Sequence, residues 1–311
     1  MSDIKLSIIM SVYNSEKYLR EAIESILNQS FTEFEFIIIN DGSADNSLQI
    51  IESYKDERIV LINQNNTGLA KALNIGIEKS RSNFIARMDA DDISLPDRLQ
   101  KQYEFLLQNP EYVVVGSNAI IIDNLGNYVH TSSQAISDVE AKQDLPNTPF
   151  FHPSVMYLKE IFFKAGKYCE AMIKGQDTVL FNRMAKFGKF YNIPDSLIKY
   201  RIVPTANSAR SNIANSRFFK ILQTTIENNT ISDEDISYLK SITDNRYSNN
   251  RLADYHLHLA KKYLWNNYQP KLARKNLIKS LKSKFNKLSV FYYFVSFLPP
   301  KTILKLYKGL K

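Results

Sequence analysis

The chain has 311 residues, 44% of them hydrophobic and 23% charged, with 40 Lys and Arg against 32 Asp and Glu. Those proportions exclude a disordered chain and a polytopic membrane protein, and the length suits one large α/β domain with a smaller appendage. Cys169 is the single cysteine, so no intramolecular disulfide or cysteine cluster can form, which fits a reducing cytoplasm.

The net charge of +8 is unevenly spread. Residues 1–205 carry 21 basic against 26 acidic side chains, residues 206–311 carry 19 against 6, and no acidic residue follows Asp254. Met1–Lys5 lead straight into an apolar run without the basic, apolar and small-residue regions of a signal peptide, so a cytoplasmic protein is expected.

The first half alternates β-branched runs with amphipathic helical patterns, as βαβ units around a parallel sheet do. Strands are predicted at Leu6–Val12, Phe34–Ile39, Ile59–Asn63 and Phe84–Met88. Between them fall helices: one with Leu19, Ala22, Ile23, Ile26 and Leu27 at helical spacing, then Ser47–Tyr54 and Leu69–Lys79. Asp97–Leu107 reads as a helix and Val113–Asn118 as a buried strand. Ile120–Asp123 and Tyr128–Thr131 flank a Leu-Gly-Asn turn and predict a hairpin, while 132–148 is polar and unassigned. A helix after Asp177 would bury Leu180, Phe181, Met184 and Phe187, and Leu197–Ile202 reads as a final strand or edge segment. Beyond 205 the pattern is helical, which puts a boundary between a catalytic domain, 1–205, and a basic helical region, 206–311. Leu288–Leu298 is the most apolar stretch of that region, but it ends at Pro299-Pro300, well short of the roughly 20 residues of a membrane span.

Ligands of open parallel sheets bind at the carboxyl ends of the strands. Three of those ends are polar here: Val12-Tyr13-Asn14, Asn40-Asp41-Gly42-Ser43 and Asp89-Ala90-Asp91-Asp92. Neither a Gly-x-Gly-x-x-Gly fingerprint after the first strand nor a P-loop is present, so phosphates need another partner. Asp89 and Asp91, two apart on a chain leaving a strand, send their carboxylates to one side, the donor set that Mg²⁺ or Mn²⁺ takes together with substrate phosphates. The competing reading of this cluster is an acidic loop capping the helix near Asp97. For Asp41-Gly42-Ser43 it is a turn in which Ser43 or Asp45 caps the next helix.

Segments 7–14 (SIIMSVYN), 40–47 (NDGSADNS), 65–77 (NNTGLAKALNIGI) and 86–99 (ARMDADDISLPDRL) together closely resemble the inverting family-2 glycosyltransferases. Segments 150–162, 175–188 and 199–208 continue the resemblance in the same order, over residues 5–210. It implies a GT-A (Rossmann-like) fold: a mostly parallel sheet flanked by helices, followed by a C-terminal helical region. It implies a UDP-sugar donor, a divalent metal, and transfer to a hydroxyl of a glycan or lipid-linked saccharide acceptor of the bacterial surface-polysaccharide type. Residue by residue, Val12 and Tyr13 would line the nucleoside pocket and Asp41 would bond uracil. Asp89 would face the ribose or donor sugar, and Asp91 would bind the metal. Arg87, Gly68 and Arg201 are further donor contacts, with backbone geometry an equal reason for Gly68, and His152 approaches the acceptor. Asp177 would be the base. The family has an acid before Asp41, another before Asp177 and a His two after Arg201; here Asn40, Gln176 and Val203 stand there.

Ala273, Leu277, Leu281, Phe285 and Leu288 fall on one helical face with Lys and Arg on the others, which predicts docking at the anionic inner face of the membrane. Packing on the catalytic domain and homodimer contact are the alternatives. Other classes fit less well. A nucleic-acid-binding protein would interleave aromatic and basic residues, a glycoside hydrolase would separate its two carboxylates, and a metal-dependent nucleotidyltransferase would release pyrophosphate instead of a nucleoside diphosphate.

Overall fold

The computed structural model describes residues 4–145, 147–204, 216–243 and 249–309. The domain boundary expected at 205 and residues 205–208 of the last resemblance segment lie outside them.

Strands β1 (Leu6–Val12), β2 (Phe34–Asp41), β3 (Ile59–Gln64) and β4 (Phe84–Asp89) run parallel in the order β3-β2-β1-β4. The central pair is buried nearly throughout, as continuous β-branched runs require when helices cover both faces. The sheet continues through β8 (Met156–Leu158), β6 (Tyr112–Ile122), β9 (Lys189–Arg201) and the two-residue β5 (Ile93–Ser94). β8 is antiparallel to both β4 and β6, and β5 to β9. This is the mixed α/β sheet expected of a GT-A fold, with the parallel half where the sequence placed it.

Helices α1 (Leu19–Leu27), α2 (Ser47–Glu52) and α3 (Leu69–Lys79) connect the parallel strands. α1 buries Leu19, Ala22, Ile23 and Ile26, its predicted face. α3 lies so close to the sheet that a Cβ at Gly76 would stand 2.6 Å from Ile39 Cδ1 and 2.9 Å from Ile9 Cγ2. α4 (Arg98–Gln108) follows β5.

Several predicted elements differ in extent. The strands at 113–118 and 120–123 are one strand, β6; it turns at Asp123–Asn127 and pairs with β7 (Tyr128–Ser132). The unassigned stretch 132–148 contains α5 (Asp138–Gln143), started by a capping box in which Ser137 Oγ accepts from Glu140 N–H and the Glu140 carboxylate accepts from Ser137 N–H. α6 (Lys159–Lys164) follows β8, and α7 (Gln176–Met184) buries Leu180, Phe181 and Met184. Phe187, expected on that stripe, is exposed, because the helix has ended three residues earlier.

The chain divides into two compact units that interleave along the sequence. The first comprises Met1–Ala119, Ser132–Tyr200 and Ala214–Ser241, and so takes in α8 (Ser216–Asn228) and most of α9 (Asp233–Thr243). Arg183 of α7 donates to the Ile226 carbonyl of α8 from Nε (3.2 Å), and its Nη1 bonds Asn229 Oδ1. The second comprises Ile120–Thr131, Arg201–Ile213 and Ile242–Lys311, with α10 (Asn249–Trp265), α11 (Pro270–Ser283), α12 (Lys287–Val295) and α13 (Pro300–Gly309). Asp123 of the β6–β7 turn accepts from Leu125 N–H and Asn127 N–H and from Tyr263 Oη of α10.

The amphipathic face predicted across 273–288 is not one face. α11 ends at Ser283 and Lys284 is extended (φ −161°, ψ 135°), so α12 starts on a new axis. Ala273 and Leu277 are buried within the second unit, whereas Phe285 and Leu288 are exposed.

Candidate functional site

The site lies in the first unit, at the carboxyl ends of β1, β2 and β4, and is built by three sets of contacts. In the first, the loops after β1 and β2 are laced together. Asn14 takes a left-handed conformation (φ 49°), donates its N–H to Ser43 Oγ (3.1 Å) and accepts Ala44 N–H on Oδ1 (2.8 Å). Ser15 N–H donates to Ser47 Oγ, Glu16 N–H donates to Asp45, and Glu16 Oε2 accepts from Asn46. Partial burial raises the Asp45 pKa, but hydrogen bonds from Ser47 and Glu16 outweigh it and hold the carboxyl below the ordinary range. Asp45 also accepts Ser47 N–H at the start of α2, but it sits one residue before the N-cap, Asn46, which makes no side-chain cap bond, while Ser43 serves the neighbouring loop. Val12 is buried and Tyr13 beside it is exposed.

Asp41, at the end of β2, centres the second set. Its Oδ1 accepts from Thr67 N–H (2.9 Å), Thr67 Oγ1 (3.1 Å) and Gln64 Nε2 (2.8 Å), and its Oδ2 accepts from Gly68 N–H (2.9 Å). A carboxylate fixed this way anchors the turn into α3. Gly68, with φ 92° and ψ 156°, takes a conformation that essentially only glycine adopts, so the backbone reason for this residue is met. Asp41 is buried (2% exposed), and its Oδ2 accepts one of these bonds where Oδ1 accepts three. Asn40, where the family has an acid, donates Nδ2 to Asn63 Oδ1 at 2.7 Å.

The aspartate loop is the third set. One carboxylate oxygen each from Asp89, Asp91 and Asp92 falls within 4.8 Å of the others. The sequence singled out two of these; buried Asp92 is the addition. Two oxygens on opposite sides of one Mg²⁺ are about 4.2 Å apart, so the group fits a divalent cation after a slight closure. Buried Arg87 pairs with Asp89. Burial works against the Arg87 charge, and the neighbouring Asp89 carboxylate more than offsets it, raising the pKa.

Arg98, which sequence reasoning passed over, braces this loop from below. It is fully buried and donates Nη2 to the Arg87 carbonyl (2.6 Å) and Nε to Gln102 Oε1 (3.1 Å), while Gln102 Nε2 reaches the Ser154 carbonyl (2.7 Å). Burial, then the nearby Arg87 charge, lowers its pKa to about 9. Its signal in the sequence is a charge on the helix face that also buries Leu99, Gln102 and Leu106.

Asp177 opens α7, after Gly175 in the left-handed conformation. Its pKa is raised, first by desolvation; the Arg87 charge lowers it and the Asp89 charge raises it. The fold thus brings Asp177 into the same field as Arg87 and Asp89, the latter 88 residues upstream. His152 is taken up by the protein itself: Nε2 meets Tyr168 Oη at 2.7 Å and the ring packs edge-on against Phe181. Burial, then the Arg87 charge, drives its pKa well below the usual histidine value, so it is neutral. Arg201 belongs to the second unit, where Nη1 lies 3.5 Å from the Asp123 carbonyl.

Residues 7–169 match the family described as Glycosyl transferase family 2. That is more than half of the chain, and the chain belongs to this family and is a glycosyltransferase. The O-antigen biosynthesis glycosyltransferase WbnJ of Escherichia coli is 33% identical over 204 residues, covering 63% of this chain and 79% of WbnJ. The amylovoran biosynthesis glycosyltransferase AmsE of Erwinia amylovora is 32% identical over 202 residues, covering 63% and 75%. Among solved structures, S. aureus TarS 1–349 in complex with UDP-GlcNAc aligns with a TM-score of 0.59 at 16% identity, over 99% of this chain and 92% of that one. The complex of the same fragment with UDP gives 0.57 at 17% identity over the same shares. Likeness at that identity speaks to the fold, which is GT-A-like.

Proposed function

We propose that the protein transfers a sugar from a UDP-sugar to a hydroxyl of a glycan or lipid-linked saccharide, with inversion at the anomeric carbon, during cell-surface polysaccharide synthesis. The names of WbnJ and AmsE support the pathway class, and the TarS complexes with UDP and UDP-GlcNAc support the donor. The observation that carries the reading is Asp177: partly buried, with a raised pKa, in the field of the Arg87–Asp89 pair. A general base works best with its pKa near the working pH, and burial moves Asp177 in that direction.

Asp41 Oδ2 accepts the uracil N–H, and Tyr13, on the rim, covers the base. Asp89 faces the ribose or donor sugar. Asp91, with Asp92, would hold Mg²⁺ or Mn²⁺, which would supply positive charge for the departing diphosphate. Asp177 takes the proton of the acceptor hydroxyl as its oxygen bonds the anomeric carbon and the bond to UDP breaks. His152 acts on the acceptor side by fixing the Tyr168 hydroxyl.

A panel of UDP-sugars incubated with acceptor and Mn²⁺ or Mg²⁺ is expected to release UDP. Asp91→Ala is expected to lose metal-stimulated donor binding. Asp177→Asn should keep donor binding and lose turnover by roughly 10²–10⁴-fold. Normal turnover by Asp177→Asn, or release of pyrophosphate from a nucleoside triphosphate, would overturn the assignment.

A further inference from the structure

Every third residue from 285 to 297 is a large apolar side chain, and all five are exposed: Phe285 (71%), Leu288 (51%), Phe291 (49%), Phe294 (68%) and Phe297 (61%). Residues three apart are neighbours on a helix surface. Leu288, Phe291 and Phe294 therefore form a row along α12; Phe297 follows two residues past its end, and Phe285 precedes it in the extended stretch after α11. The other side of the same helix is spoken for: Ser289, Tyr292 and Val295 are buried, Ser289 Oγ meets Ser280 Oγ of α11 at 2.8 Å, and Tyr292 packs edge-on against Trp265 of α10. The helix is thus held to the second unit by one face and offers the other. Tyr293 flanks the row, its ring 6.0 Å from Phe294 and 5.5 Å from Phe297. Exposed lysines bracket it, Lys282, Lys284 and Lys287 before and Lys301 and Lys305 after.

We infer that α12 is the docking face of the second unit for an anionic phospholipid surface, with the phenylalanine row entering the acyl boundary and the lysines reaching phosphate headgroups. Charge and arrangement favour this occupant. An exposed apolar row with a phenolic ring at its flank and cations at its ends is the amphipathic order of the membrane interface. A second copy of the chain is disfavoured: a twofold contact sets the same patch against itself, lysines against lysines, and Asp254, which shares a hollow with Lys284 and Lys287, offsets them only in part. Nucleic acid would call for basic groups interleaved among the aromatics; Arg274 does lie over the Phe297 ring at 4.5 Å, but residues 288–298 themselves carry no Lys or Arg. The inference does not depend on the donor, the acceptor or the Asp177 assignment, and it places the membrane contact on α12 and not on the α11 face that the sequence pattern favoured.

The test is sedimentation of the full chain with sucrose-loaded vesicles of phosphatidylcholine alone or with phosphatidylglycerol, at low and high salt. The wild-type protein is expected to pellet with the anionic vesicles, less so at high salt, and to stay in solution with the neutral ones. Phe291→Ser with Phe294→Ser should weaken partitioning about tenfold or more, with an unchanged thermal midpoint showing that the fold is kept. Phe294→Trp keeps the bulk of the side chain, so it tests the same face without risk to folding. Measured against the wild-type signal of Trp265, the emission of this variant should shift to the blue on anionic vesicles only. Wild-type protein that stays in solution with anionic vesicles would overturn the inference. So would unchanged pelleting of the double variant, an emission from Phe294→Trp indifferent to lipid, a dimer that the double variant splits, or retention by RNA in place of vesicles.

Discussion

Asp41→Asn separates what the carboxylate does for the fold from what it does for the donor. The carboxylate holds two backbone N–H groups, Thr67 on Oδ1 and Gly68 on Oδ2, together with Gln64 and the Thr67 hydroxyl. An asparagine has one acceptor oxygen. Placed at the Oδ1 position it keeps Thr67 and turns its own NH₂ toward Gly68 N–H; flipped, it keeps Gly68 and loses three donors. The better rotamer forfeits one charge-assisted bond, about 1.5–3 kcal/mol, and weakens those that remain. A loss of about 2–4 kcal/mol follows, or roughly 3–6 °C in the unfolding midpoint of a protein this size. The same NH₂ faces the direction proposed for the uracil N–H, so UDP affinity should fall as well. Differential scanning fluorimetry with and without UDP measures both. A midpoint within about 1 °C of wild type would refute the anchoring role worked out from these distances. A lowered midpoint with unchanged UDP affinity would refute the uracil contact alone.

Two further substitutions follow from the same geometry. At Gly68 a Cβ would meet nothing within 4 Å, so Gly68→Ala should cost only backbone strain, about 1–3 kcal/mol in a thermal melt, and leave the kinetics of the folded enzyme near wild type. Arg87→Met tests the field at Asp177. Only the carboxylate form of Asp177 can take a proton, so the rate falls as pH drops through its raised pKa, and the Arg87 charge holds that pKa down. Without it the acidic limb of the pH–rate profile should move to higher pH; an unmoved limb would sever the two residues.

The parallel half of the fold was legible almost residue by residue, because strands buried on both faces must be continuous apolar runs, as LSIIMSV and FEFIII are. Extents failed where periodicity outlasted the element. The stripe continued through Phe187 although α7 ends at Met184, and the tail pattern ran across the break at Lys284. α5 was announced by Ser137-x-x-Glu140, but only six residues follow and their pattern carries little periodicity. At the site, carboxylates were readable because strand ends locate them. Arg98 left only a charge on a buried helix face, easily taken for a solvated one, and the bonds of Asn14 with Ser43 and Ala44 left nothing, since partners about 30 positions apart leave no local mark.

That lacing has an evolutionary consequence. Asn14, Ser15 and Glu16 are each tied to a residue between Ser43 and Ser47, so the two loops at the proposed nucleoside pocket form one preformed rim and neither can be reshaped alone. Substitutions on the two sides should be non-additive, each mattering more when its partner is present. A change of base preference in this lineage would then have to arrive as paired replacements, and libraries built one loop at a time would sample mostly broken rims.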